Sequence, residues 1–479
     1  MAGGGEAPLL EGKPRVYFDG CPGCANDRRK AENLGIPYGQ FFHIWIIILV
    51  SCLPISLLFP FIYFMIRDLH IAERVEGIGF YAGFVGASYM LGRALTSTAW
   101  GMIADRIGRK PVIILSIIST LLFNTLFGLS VNYWMAIATR FLLGSLNGLL
   151  GPIRAYAVEV CRTEHQAIGL TLVSTSWAIG LIIGPAIGGY LAQPVEKYPK
   201  LFPANSIFGR FPYFLPCLCV SFFCLVILIS CIWLPETLHK HKLHKTEDQG
   251  IEDFAEQQNS STTNKSLLKN WPLMSSIILF CVTSFDDMAY TEIFSLWAES
   301  DKKYGGLGFS SEDVGQVLAV TGASILLYQT FVYPRIVKVL GPVNASRIAA
   351  ILSMVLLFTY PPMTHLSKPW LSVVVNIASM LKNNLVVTVV TCSFILQNNS
   401  VPQEQRATAN GLATTLMSFF KAFAPAGAGI VFSWAQKRQH AFLFPGDQMV
   451  FFLLDIVIFV ELIWTFKPFL AIPEQIPRS

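Results

Sequence analysis

Charge is what this sequence has least of. Only 14% of its 479 residues are Asp, Glu, Lys or Arg, against 53% hydrophobic residues and a mean hydropathy of +0.52; an ordinary soluble domain is about 25% charged. A soluble fold could not hide this much apolar surface, so lipid is the solvent for most side chains. Also missing are a phosphate loop of the Walker type, a Gly-x-Ser-x-Gly elbow and a His-Glu-x-x-His pair. Enzyme chemistry therefore finds no support, and energy for any work must come from an ion gradient. No cofactor and no nucleic-acid partner is expected. The first forty residues hold no basic region followed by an apolar core and a cleavage site, so the first membrane helix is expected to serve as the targeting signal.

The ten cysteines do not form a disulfide framework by pattern, because Cys52, Cys217, Cys219, Cys224, Cys231, Cys281 and Cys392 lie inside apolar runs and read as small packing residues. Cys21 and Cys24 in the tail supply two ligands where a tetrahedral metal site needs four, and His239, His241 and His244 stand in a polar basic segment. No metal site is expected.

What is present is a series of apolar runs long enough, at about twenty residues, to cross a bilayer. They fall at 42–66, 78–102, 111–130, 133–157, 167–192, 213–235, 272–297, 313–334, 345–363, 369–396, 408–435 and 447–470. Nothing alternates like barrel strands, so the fold class is all-α membrane protein. Basic residues gather in the tail (Arg28, Arg29, Lys30), between spans two and three (Arg106, Arg109, Lys110), after span six (Lys240, Lys242, Lys245) and after span eight (Arg335, Lys338, Arg347). A twelve-span count puts all of these on one side, which the positive-inside rule makes cytosolic, with both termini. The polar stretch 236–270 reads as a flexible cytosolic linker. It divides a six-helix bundle at 42–235 from a second at 271–470, with cytosolic tails at 1–41 and 471–479. Glu164, Ala167, Pro185, Ala186 and Gly189 recur 240 positions later as Glu404, Ala407, Pro425, Ala426 and Gly429, the mark of two pseudo-symmetric halves.

Three motifs stand out. Gly101, Asp105, Arg106, Gly108 and Arg109 lie between spans two and three; the glycines suit a tight turn and the charges a latch favouring one access state. Arg140-Phe-Leu-Leu-Gly144 puts an arginine inside span four. Its insertion cost of about 2.5–3.5 kcal/mol calls for a cavity or an acidic partner, with snorkelling to the outer interface as the alternative. Gly180-Leu-Ile-Ile-Gly184-Pro185-Ala-Ile-Gly188-Gly189 in span five pairs small residues at four-residue spacing with a kinking proline, usable as a rocking element.

These motifs resemble the cytosolic-loop, intramembrane-arginine and antiporter signatures of the major facilitator superfamily. Cys21-Pro-Gly-Cys24, Gly79 to Gly86, Phe141 to Pro152, Pro235-Glu236-Thr-Leu-His239 and Asp287 to Trp297 narrow the resemblance to the plant zinc-induced facilitator-like family. The resemblance implies a major facilitator fold of twelve helices in two pseudo-symmetric six-helix bundles. It also implies a proton-coupled exporter of nicotianamine or mugineic-acid phytosiderophores, at the plasma membrane or the vacuolar membrane. Some members of that family are linked to potassium or auxin movement.

Charges near the middle of spans point to transport residues. Lys382, Lys421 and Arg154 could hold the carboxylates of such a cargo, Asn147, Asn383 and Asn384 could supply neutral donors and acceptors, and Trp177 and Tyr290 could shape the wall. Proton coupling needs a buried carboxylate. Asp287 is the first choice, with Glu292 and Asp286 behind it and Arg140 as an associated cation; a permanent ion pair of one aspartate with Lys382 or Lys421 is the alternative. Asp455 and Glu461 in span twelve are intramembrane acids without an assigned role, Glu461 lying toward an interface. The expected partners are a small amino-carboxylate, free or metal-chelated, protons and the bilayer, and the chain is expected to act as a monomer. Zinc, potassium or an organic anion as cargo, and a receptor that binds without transport, remain as other readings.

Overall fold

The computed structural model describes residues 17–18, 20–33, 35–162, 165–238, 267–401, 406–438 and 446–471. The linker histidines His239, His241 and His244, together with Glu164, Glu404 and the chain ends, lie outside the described residues.

The described membrane-spanning part is helical throughout, in twelve segments. Span one is Tyr38–Ser56, resumed after a bend as Ile62–Asp68; span two is Ile78–Ile107, span three Arg109–Gly128, and span four Tyr133–Leu146 followed by Leu150–Glu159. Span five is Gln166–Leu191, span six Phe214–Ser230, span seven Trp271–Glu299, and span eight Ser311–Leu327 with a π turn at Tyr328–Val332. The run Tyr333–Leu357 kinks at Gly341 (φ 72°), so it completes span eight and then forms span nine. Span ten is Lys368–Asn399, span eleven Arg406–Gln436 and span twelve Asp447–Trp464. Outward-facing apolar side chains such as Phe222, Leu352 and Phe459 are exposed, as lipid-facing positions must be.

Two of these helices are broken in ways the apolar runs do not reveal. Span four opens at Asn147-Gly148-Leu149, and a Cβ on Gly148 would meet the Trp100 ring at 2.1 Å. The Ser145 carbonyl beside the break accepts hydrogen bonds from Thr96 Oγ1 (2.8 Å) and Trp100 Nε1 (2.7 Å), so this carbonyl is satisfied from a neighbouring span. The first helix of span one carries Pro54 in its last turn and ends at Ser56.

The two halves meet through a pair of matched helix crossings, span two on span eleven and span five on span eight. A Cβ on Gly83 would lie 2.4 Å from the Pro425 carbonyl and 2.9 Å from Gly429 Cα; a Cβ on Gly315 would lie 2.6 Å from the Pro185 carbonyl and 2.8 Å from Gly189 Cα. The duplicated Pro and Gly of spans five and eleven thus make the same contact twice, across a pseudo-twofold axis. Both crossings lie toward the face away from the N-terminal tail, called here the far face. There, Tyr63 N donates to Glu299 (3.3 Å), Lys197 Nζ to Ser311 Oγ (2.8 Å) and Ser433 Oγ to the Glu76 carbonyl (2.5 Å). Among the described residues, every hydrogen bond between the halves belongs to this face. The molecule is therefore in a conformation sealed on the far side.

Candidate functional site

Span seven distributes its acids by helical geometry. Successive residues point about 100° apart, so Asp286 faces span ten and Asp287 faces span eleven. Asp286 Oδ2 receives Lys382 Nζ at 2.9 Å, with the two side chains 1% and 0% exposed; the ammonium also sits 4.9 Å from the centre of the Tyr290 ring. Tyr290 in turn shares a 2.6 Å hydroxyl contact with Tyr360. This is a dry, paired site, and in this conformation Lys382 is out of reach of a ligand. Asp287 Oδ2 receives Lys421 Nζ at 3.2 Å, but these side chains are 32% and 26% exposed. Of the sequence candidates in the second half, this is the pair open to solvent or cargo.

Glu292 is buried on the face of span seven that packs against span two, where a Cβ on Gly86 would lie 3.3 Å from its Oε2. Neither carboxyl oxygen has a hydrogen-bond partner among the described residues. Asn383 and Asn384 look inward to their own bundle, donating to the Ser379 carbonyl and to Ser324 Oγ, each at 2.9 Å. Asp455 and Glu461 are both buried, with Asp286 and Lys382 as electrostatic neighbours. Glu461 lies toward a helix end, yet it is covered.

In the first half, Asn147 and Trp177 come together in a small cavity with Tyr89, Ser51 and Arg93. Arg93 lies 6.0 Å from the Trp177 ring centre, and Arg154, which is exposed, is its electrostatic neighbour. Neither arginine is paired with an acid among the described residues. Arg93 escaped the sequence reading, although the signal was there: it is a lone cation at mid-depth in span two. Arg140 neither snorkels nor meets an acid in a hydrogen bond. It is 2% exposed, lies between the rings of Tyr89 and Phe127 (5.3 and 5.1 Å), and donates from Nη1 to the Pro54 carbonyl at 2.7 Å. That carbonyl belongs to the last turn of span one, so the guanidinium caps the negative end of a helix that stops inside the membrane.

The loop motif ties spans two and three to Glu159 and Glu236. Gly108 has φ 115° and joins span two to span three, a conformation that favours glycine, and a Cβ there would lie 2.4 Å from Glu236 Oε2. The Glu236 carboxylate accepts the Arg109 and Lys110 amides, both at 3.0 Å, and so caps span three. Arg109 reaches Glu159 from Nε and Nη2 (3.2 and 3.0 Å), and Thr237 Oγ1 holds the other carboxylate oxygen at 2.6 Å. Arg106 is exposed and Gly101 has no close neighbour, while the Asp105 side chain lies outside the description. In span five, Cβ atoms on Gly180, Gly184 and Gly188 would collide with Cys52, Ser56 and Leu57 of span one, leaving Gly189 and the Pro185 carbonyl for span eight. The motif is a two-sided packing stripe.

Residues 44–441 match the family model of the Major Facilitator Superfamily. The chain is 54% identical to the protein ZINC INDUCED FACILITATOR-LIKE 1 of Arabidopsis thaliana, over 98% of each chain, and 52% identical to ZINC INDUCED FACILITATOR 1 of the same organism, over 95% and 96%. It belongs to the zinc-induced facilitator-like branch of the major facilitator superfamily. A crystal structure of a D-xylose-proton symporter superposes with a TM-score of 0.69, covering 90% of this chain and 97% of that one at 11% identity, a likeness of fold alone. This major facilitator protein is thus an integral, multi-pass membrane transporter and not an enzyme, built to take small molecules through a bilayer.

Proposed function

We propose that this transporter is a proton-coupled antiporter exporting a metal-chelating amino-carboxylate of the nicotianamine or mugineic-acid type by alternating access. The observation that carries the proposal is the distribution of cations. Arg93 and Arg154 have no acidic partner among the described residues in one half, and the partly exposed Lys421 stands beside Asp287 in the other. Two or three carboxylates on one cargo molecule could bind all of these at once, while Asp287, released from Lys421, would take a cargo amine. Asn147 and Trp177 shape the first-half wall. The dry Asp286–Lys382 pair, with Tyr290, fixes span seven against span ten behind the site, and Asn383 and Asn384 support span ten.

Glu292 is proposed as the proton carrier. It lies at the crossing of spans two and eleven, so rocking of the halves would wet it in one state and dry it in the other. Arg140 is its electrostatic neighbour across the interface. The latch of Gly108, Arg109, Glu159 and Glu236 would hold the tail face of the first bundle together during rocking. Under the positive-inside rule that face is cytosolic, with both termini; the plasma membrane is the proposed location, the vacuolar membrane the alternative, and the working unit a monomer. The test is efflux of labelled nicotianamine or deoxymugineic acid from proteoliposomes under an imposed pH gradient. Gradient-dependent flux of either supports the proposal, and flux of neither rejects it.

A further inference from the structure

The first-half bundle carries a second cationic cavity, away from the transport residues, where the tail helix Pro22–Glu32 lies against the membrane entrance. The tail helix is docked there: Gly23 N donates to the Leu238 carbonyl (3.1 Å), and Asn26 Nδ2 and Lys30 Nζ donate to the Glu159 carbonyl (2.9 and 3.0 Å). Between the end of that helix, the start of span one and the end of span four is a cavity of about 350 Å³, in the size range of small-molecule sites. Arg29, Lys30 and Arg162 line it, and among the described residues no acidic one does. Of the described acids nearby, Asp27 pairs with Lys30 at the cavity edge (2.6 Å), while Glu32 is held by Arg28 (3.2 Å) and the Glu159 carboxylate by Arg109 and Thr237. Arg29 makes no ion pair with a described residue. Gly39 and Gln40, in the first turn of span one, also line the cavity, and their amides have no hydrogen-bond partner among the described residues.

We infer that this cavity is a binding site for a phosphate-bearing anion, held by Arg29, Lys30 and Arg162 and by the first-turn amides of span one. Guanidinium groups match phosphate oxygens in pairs, and backbone amides at a helix start complete the shell. The same chemistry is offered by the headgroup of an acidic phospholipid and by a soluble phosphate compound. Tyr38 and Phe42, exposed at 74% and 59%, lie next to the cavity on span one, where an acyl chain would run.

The full chain, purified in neutral detergent, tests this by its melting midpoint during two titrations. One uses dioctanoyl phosphatidic acid against dioctanoyl phosphatidylcholine, the other inorganic phosphate against chloride at matched ionic strength. A saturable rise with phosphatidic acid alone assigns the site to lipid; a rise with phosphate as well assigns it to soluble anions. Arg29→Gln with Arg162→Gln should weaken the response at least ~10-fold, a loss typical of charged hydrogen bonds to phosphate, and Arg28→Gln should leave it unchanged. Gly39→Asp serves if the double variant does not fold. A Cβ there meets nothing within 4 Å, so packing survives while a carboxylate enters the cavity, and binding should be lost. No saturable response to either probe, or a response that Gly39→Asp leaves intact, overturns the inference.

Discussion

Asp286 and Asp287 are chain neighbours with opposite surroundings, and the difference decides what each can do. The Asp286–Lys382 pair is sealed at 2.9 Å with almost no exposure, so removing one member strands the other charge in a dry site. Lys382→Met is expected to cost about 3–5 kcal/mol, and combining it with Asp286→Leu should recover most of that loss. Melting of the purified variants in detergent checks this, and a double variant less stable than the single one would contradict it. Arg93→Gln should act on cargo, raising KM about 10-fold with little change in kcat if the arginine binds a carboxylate equally in ground and transition states; uptake kinetics separate the two parameters. The sequence made Asp286, Asp287, Lys382 and Lys421 visible as costly charges in apolar runs. It did not reveal which lysine goes with which aspartate, because that depends on helix rotation. Arg93 was equally visible by the same rule, but its place in one cavity with Asn147 and Trp177 depends on the packing of spans two, four and five.

Helices carry the next level of meaning, and here the glycines separate into kinds. Gly83, Gly189, Gly315 and Gly429 are points of backbone contact between halves, where a Cβ would sit 2.3 to 2.6 Å from a carbonyl oxygen. Gly83→Val should leave each bundle folded but wedge the far face open. An engineered Ser433→Cys, buried in the sealed form, should then react faster with a bulky thiol reagent, and unchanged reactivity would contradict this role. Glu236→Ala removes the acceptor for the Arg109 and Lys110 amides, a capping loss of about 1 kcal/mol, and should lower the melting midpoint without changing cargo affinity. The duplicated Pro and Gly were legible as a repeat in the sequence, and the repeat turns out to encode the crossing itself. The break in span four was not legible. Asn147-Gly148 stands in an apolar run that reads as continuous helix, and the groups that satisfy the opened backbone, Thr96 and Trp100, come from span two.

At the scale of the molecule, two six-helix halves are pinned together on the far side, and the proposed function gives the cations of each half a common task. The helical count and its duplication followed from hydropathy and repeat, whereas the sealed state depends on contacts such as Tyr63 with Glu299 that link residues 236 positions apart. The claim most exposed to test is that one cargo molecule is gripped by both halves. A double-mutant cycle on binding of deoxymugineic acid, with Arg93→Gln in the first half and Lys421→Gln in the second, addresses it directly. The expected result is about 10-fold weaker binding for each single variant, with a double variant that departs from the product of the two losses because both cations act on one ligand. Single variants that bind as tightly as the parent protein would contradict the shared grip.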